Sequence, residues 1–133
     1  MNNIKHQAIT EKIINSFYTV YNILGYGFLE KVYENAMLIE LRKAGLDVVP
    51  QAPIKVFYND QIVGEYFADL IVGNSVIVEL KTTAKLSVEH EAQLLNYLKA
   101  TKHEVELLLN YGPKPELKRK VYDNTMKGNL SWV

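Results

Sequence analysis

Val76-Ile77-Val78-Glu79-Leu80-Lys81 is the stretch on which the fold turns. Its first five residues form a nearly continuous apolar run, the pattern of a strand buried on both faces. Side chains alternate along a strand, so Glu79 and Lys81 share one face and Leu80 takes the other. Downstream, Ser87 is placed to cap a helix reaching about Lys99, with Glu91, Leu94, Leu95 and Leu98 at helical spacing. Val105-Glu106-Leu107-Leu108-Leu109 is then a second buried strand. A strand–helix–strand passage implies a right-handed crossover between parallel neighbours.

Upstream of this unit the period changes twice. Ile9, Ile13, Phe17, Val20, Tyr21 and Leu24 make one helical stripe, and Gly25-Tyr26-Gly27 breaks it. A second helix is expected from about Phe28, with Leu29, Val32, Tyr33, Ala36 and Leu41 inward and Gly45 as its stop. Pro50 and Pro53 then punctuate an extended lead-in to a strand over residues 54–58. Asn59-Asp60 turns the chain back into residues 62–72, and Gly73-Asn74 turns it again. After the strand at 105–109, Gly112-Pro113-Lys114-Pro115 forces a turn, and residues 118–122 form a short edge strand. The order α-α-β-β-β-α-β, with that last strand, predicts an α/β fold with a mixed central sheet flanked by helices.

Composition narrows the class. The 133 residues are 48% hydrophobic and 23% charged, as expected of a folded protein, and fit one domain over 1–133. Its core spans about 6–122, and the tail over about 123–133 is uninformative. With no cysteine, a disulfide scaffold, thiol catalysis and cysteine-bound zinc are excluded. No run approaches the roughly 20 apolar residues needed to span a bilayer, and residues 1–6 lack a secretory stretch, so a cytoplasmic protein is expected. Net charge is zero, yet residues 1–80 carry six basic and nine acidic side chains, and residues 81–133 nine and six. An anionic polymer would lie along the second half, where Lys114, Lys118, Arg119 and Lys120 are densest.

Asp69 interrupts Tyr66-Phe67-Ala68 and Leu70-Ile71-Val72 where burial is expected. If residues 62–72 pair with 75–82, Asp69 meets Glu79 and Lys81 across the ladder. Two carboxylates that close raise each other's pKa unless a cation intervenes. Oxygen ligands without histidine or cysteine favour Mg²⁺ or Mn²⁺. A metal-held water beside a lysine is what phosphodiester hydrolysis needs. The plainer alternative is a solvent-exposed ion pair at a strand end.

These residues belong to a longer pattern. Gly27-Phe28-Leu29-Glu30-Lys31-Val32-Tyr33 reads GxxExxY and is followed by Asp69, Glu79-Leu80-Lys81 and Gln93-Leu94-Leu95-Asn96-Tyr97. Over residues 6–122 the chain resembles the GxxExxY proteins, small prokaryotic members of the PD-(D/E)xK nuclease superfamily on its RecB-like side. The resemblance implies a mixed sheet flanked by helices. It also implies metal-binding roles for Asp69 and Glu79, the motif lysine in Lys81, and an assisting acid in Glu30. Gln93 and Tyr97 match a Gln-x-x-x-Tyr helix bordering the site, and their spacing of four puts them on one helical face. Ala68 stands where the superfamily name has proline. Glu106 stands where the family usually has glycine, either facing solvent or repelling a phosphate backbone. Tyr26 and Tyr111 replace a commoner proline and phenylalanine.

The expected activity is a Mg²⁺- or Mn²⁺-dependent nuclease, with DNA favoured over RNA. Asp69, Glu79 and the Leu80 carbonyl hold the metal, Glu30 is a further candidate ligand, Lys81 orients the water, and Gln93 fixes the site or the substrate backbone. Tyr97 is open between core and site, and with Lys114, Lys118, Arg119 and Lys120 is a candidate contact to nucleic acid. Tyr33 is read as core, Glu34 as an exposed helix position and His90 as a surface residue. A homodimer would suit cutting both strands. The alternative is a catalytically silent module that binds nucleic acid or a protein partner.

Overall fold

The computed structural model describes residues 6–128. Ile13, Phe17 and Val20 are the buried stripe of α1 (Gln7–Leu24), which stops at Gly25 with φ of +67°. The next helix, α2 (Glu30–Lys43), starts two residues later than expected and buries Tyr33, Glu34, Met37 and Leu41. Leu29 and Val32, expected inward, are exposed, because Leu29 precedes the helix and the buried face is centred on Tyr33 and Met37. Gly45, at φ +83°, ends α2 as expected: its N–H bonds the Arg42 carbonyl and that of Leu46 bonds Leu41.

Five strands follow in sheet order: β1 (Val48–Tyr58), β2 (Gln61–Val72), β3 (Val76–Lys81), β4 (Val105–Tyr111) and β5 (Pro115–Val121). Only β3 and β4 run parallel, and α3 (Val88–Ala100) makes the crossover between them. This is the mixed α/β architecture that the patterning predicts. Two boundaries differ. Pro50 and Pro53 lie inside β1, which tolerates them because it is an edge strand with one side free of ladder bonds. The last strand begins at Pro115 rather than 118, drawn into register by Tyr111↔Pro115. Beyond it residues 124–126 form one 3-10 turn; the ends of the tail and of the N-terminal stretch, 129–133 and 1–5, lie outside the described residues.

The sheet is covered on both faces. Helices α1 and α2 pack on Leu70, Val72, Val78, Leu80, Leu107 and Leu109, while α3 packs Leu94, Tyr97 and Leu98 on Ile77 and Leu108. Each fully buried aliphatic side chain here is worth roughly 1.5–3 kcal/mol, so both layers are strongly held. At Gly112 a side chain would reach within 2.3 Å of the Thr83 carbonyl, so only glycine lets β4 leave the sheet beside that loop. Asn110 clamps the same loop, accepting from the Thr83 N–H (3.0 Å) and donating to its carbonyl (3.0 Å). Two residues after Lys81, the chain is therefore pinned. Among the described residues no helix is long and apolar enough to cross a membrane.

Candidate active site

The β2–β3 ladder is only three pairs long and ends at Leu70↔Val78. One step further the two strands exchange side chains for backbone. The Asp69 N–H donates to Glu79 Oε2 (2.7 Å), and the Leu80 N–H donates to Asp69 Oδ2 (2.8 Å). Each carboxylate thus satisfies an amide that the ladder leaves open, and the two acids are held face to face. The β1–β2 ladder also skips this row, between Pro50↔Leu70 and Ala52↔Ala68. Alternation rolls over here: Leu70 faces the α1–α2 layer, whereas Ala68 faces α3.

Burial and mutual repulsion set the electrostatics. Glu79 is buried, and desolvation followed by the Asp69 charge pushes its carboxyl up to about 8. Asp69 is raised by burial, against the opposing pull of the Leu80 N–H. Glu30, in the first turn of α2, is raised by burial and then by Asp69, and is eased by Lys81. The positive charge of Lys81, at the end of the same strand as Glu79, works against the upward shift of Glu30, Asp69 and Glu79. Among the described residues it closes no direct ion pair with them.

Of the expected residues, Glu30, Asp69, Glu79 and Lys81 come together. Tyr97 lies on the buried face of α3 and is core, with its ring 5.4 Å from that of Tyr66. Burial and the surrounding carboxylates, Glu79 first, push its hydroxyl up to about 12. Gln93, one turn earlier, is exposed. The basic cluster is divided rather than joined. Lys118 shares a row with Leu108 and Glu79, two strands over or roughly 10 Å. Arg119 sits in the row of Leu107 and Val78, which belong to the α1–α2 face, and Lys120 pairs with Glu91 at 2.6 Å. Lys114 is exposed in the β4–β5 turn.

Two further readings change. Glu34, expected on an exposed helix face, is 4% exposed, because β1 passes over it: its Oε1 accepts from Gln51 Nε2 (2.8 Å) and its Oε2 pairs with Lys31 (2.8 Å). The same Gln51 amide lies 3.4 Å from Asp69 Oδ1. Gln51 carries no periodic signal, and nothing in Pro50-Gln51-Ala52-Pro53 marks it from sequence. Glu106, expected at solvent or against a phosphate backbone, is fully buried with neither carboxylate oxygen hydrogen-bonded. Its alternation with Val105 and Leu107 turns it under α3. Tyr33 is core as expected, stacked on Tyr111 at 4.2 Å, and His90 closes the capping box of α3 with Ser87.

The donor set suits a hard divalent ion. Asp69 Oδ1 and Glu79 Oε1 remain beyond the two backbone bonds, and both carboxyls are raised in a way that a cation would relieve. Among the described residues no three His, Cys, Asp or Glu side chains form a ready metal cage. Two carboxylates with backbone oxygen and water are the fitting combination.

Residues 7–121 match the PD-(D/E)XK nuclease superfamily. The chain belongs to that superfamily. In this PD-(D/E)XK protein Glu79-Leu80-Lys81 spells the second half of the motif, and Asp69 is the acid that faces it. Two solved structures share its fold. One, known as SSO0001, is 18% identical with a TM-score of 0.56 over 86% of this chain, which spans 58% of that one. The other is an alkaline exonuclease (LHK-Exo) from Laribacter hongkongensis, 14% identical with a TM-score of 0.52, covering 92% of this chain and 74% of its own. At these identities the likeness is one of fold. Among curated proteins nothing matches the chain.

Proposed function

We propose that the chain is a divalent-metal-dependent nuclease of the GxxExxY kind, a single nuclease-like domain acting on nucleic acid, DNA before RNA. One observation carries this reading: Asp69 and Glu79 are held face to face where a ladder opens, and Lys81 follows Glu79 on the same strand. Superfamily membership supports it, since PD-(D/E)XK nucleases typically use divalent metals.

Asp69 and Glu79 would hold Mg²⁺ or Mn²⁺ together with the Leu80 carbonyl, and Glu30 would steady the ion's waters. When bound, the ion supplies a polarised phosphoryl oxygen and a water of lowered pKa. Lys81 would orient the attacking water and offset charge on the phosphoryl group. Gln93 lines the approach of the strand, and Lys114 and Lys118 draw in its backbone. Zero net charge with Lys120 already paired to Glu91 favours the second reading, a silent nuclease-like module.

Labelled single-stranded DNA, duplex DNA and RNA, in Mg²⁺ or Mn²⁺ against EDTA, separate the two. Cleavage that needs metal and disappears in Asp69→Ala is the expected result. A shifted but uncut band would favour the silent module.

A further inference from the structure

Gln51 is the one non-glycine residue of this site with a left-handed backbone, φ +48°, at the row of β1 that the ladder skips. A side chain in that region costs free energy, and such positions persist where the surroundings demand them. Here the surroundings are two carboxylates. Gln51 Nε2 lies 2.8 Å from Glu34 Oε1 and 3.4 Å from Asp69 Oδ1. Only the NH₂ end of the amide suits that place, because its two hydrogens can be divided between two anions while its oxygen would be repelled. Glu34 is anchored in turn by Lys31, and Asp69 Oδ2 is taken by the Leu80 N–H. The result is a continuous brace from α2 through β1 to β2. It ends on the Asp69 oxygen that is left over for a ligand.

Resting on the nuclease reading above, we infer that Gln51 is a positioning residue: its amide, carried on a left-handed kink in β1 and anchored by Glu34, orients the Asp69 carboxylate for the divalent ion. Without it, Glu34 and Asp69 would face each other with no donor between them, and the Asp69 carboxylate would be free to turn about its one remaining bond. Outer partners of metal-binding carboxylates typically change metal affinity by about 10–100-fold when removed.

The kink and the amide can be separated by choice of substitution. Gln51→Gly removes the amide but suits a positive φ, and Gln51→Ala removes the amide and keeps the backbone strain. Mn²⁺ titration by calorimetry, with melting temperature measured on the same samples, reads both. The expected result is that Gln51→Gly binds Mn²⁺ about 10-fold more weakly and melts above Gln51→Ala. Gln51→Ala binds as weakly. If Gln51→Gly binds Mn²⁺ like wild type, whatever Gln51→Ala does, the amide has no positioning role and the inference falls while the nuclease reading stands. If the wild-type chain itself binds no Mn²⁺, the nuclease reading fails, and the inference with it.

Discussion

A carboxyl group in a core without a hydrogen-bond partner lowers stability, and Glu106 is such a group. Burial, and then the nearby Glu79 charge, push it up to about 10, from 4.5 in an unfolded chain. The folded state therefore holds this proton more tightly. Its contribution is most favourable below pH 4.5 and is lost progressively as pH rises toward 10. Leucine, of similar volume, would remove both the open hydrogen-bonding groups and the titration. Glu106→Leu should be more stable than wild type by about 1–3 kcal/mol at pH 7, with a gap wider at pH 9 than at pH 5. Urea unfolding at the three pH values measures this, and an equal gap throughout would contradict it. Residues of this kind mark where sequence reading stops. Asp69 and Glu79 were legible because a ten-residue spacing across a hairpin brings opposed residues together. Glu34, Gln51 and Glu106 were not, because a polar residue is assigned to solvent until a distant element covers it. That element is β1 for Glu34 and α3 for Glu106.

Among the elements, the junction between α1 and α2 decides where Glu30 stands. The Tyr33 hydroxyl donates to the Gly25 carbonyl (2.7 Å) and accepts from the Phe28 N–H (3.3 Å), tying the loop back onto the helix that follows it. The tyrosine of the GxxExxY pattern is thus a fastener for the turn that delivers the glutamate. Tyr33→Phe keeps the stacking on Tyr111 and loses both bonds. It should cost about 1–2 kcal/mol in unfolding free energy, since each bond is worth roughly 0.5–1.5 kcal/mol. An unchanged melting temperature would show that the loop holds itself. Periodicity made the helices, the two hairpin turns and the parallel crossover legible, because each depends on neighbours in the chain. The inward face of α2 was misjudged at Leu29 and Val32, since helix phase depends on where the first turn starts. The prolines of β1 read as a lead-in because their tolerance depends on the strand being at the sheet edge.

At the scale of the whole molecule, four elements from two layers converge on one end of β3. Helix α2 brings Glu30 and Glu34, β1 brings Gln51, β2 brings Asp69, and β3 ends in Glu79 and Lys81. Asn110 and Gly112 of the β4 exit then fix the loop two residues beyond Lys81. Asp69 and Lys81 are thus carried by separate strands, so their roles can be separated by substitution without dismantling the fold. In the proposed function Asp69 serves the metal and Lys81 the water.

The most direct test of that division is single-turnover cleavage of labelled DNA in Mn²⁺ by wild type and Lys81→Ala, with Mn²⁺ binding measured on the same preparations. Lys81→Ala should keep its fold, bind Mn²⁺ and cut at least about 100-fold more slowly, the scale of loss when a charge-stabilising group is removed. A folded Lys81→Ala protein that cuts at the wild-type rate would contradict the proposed site.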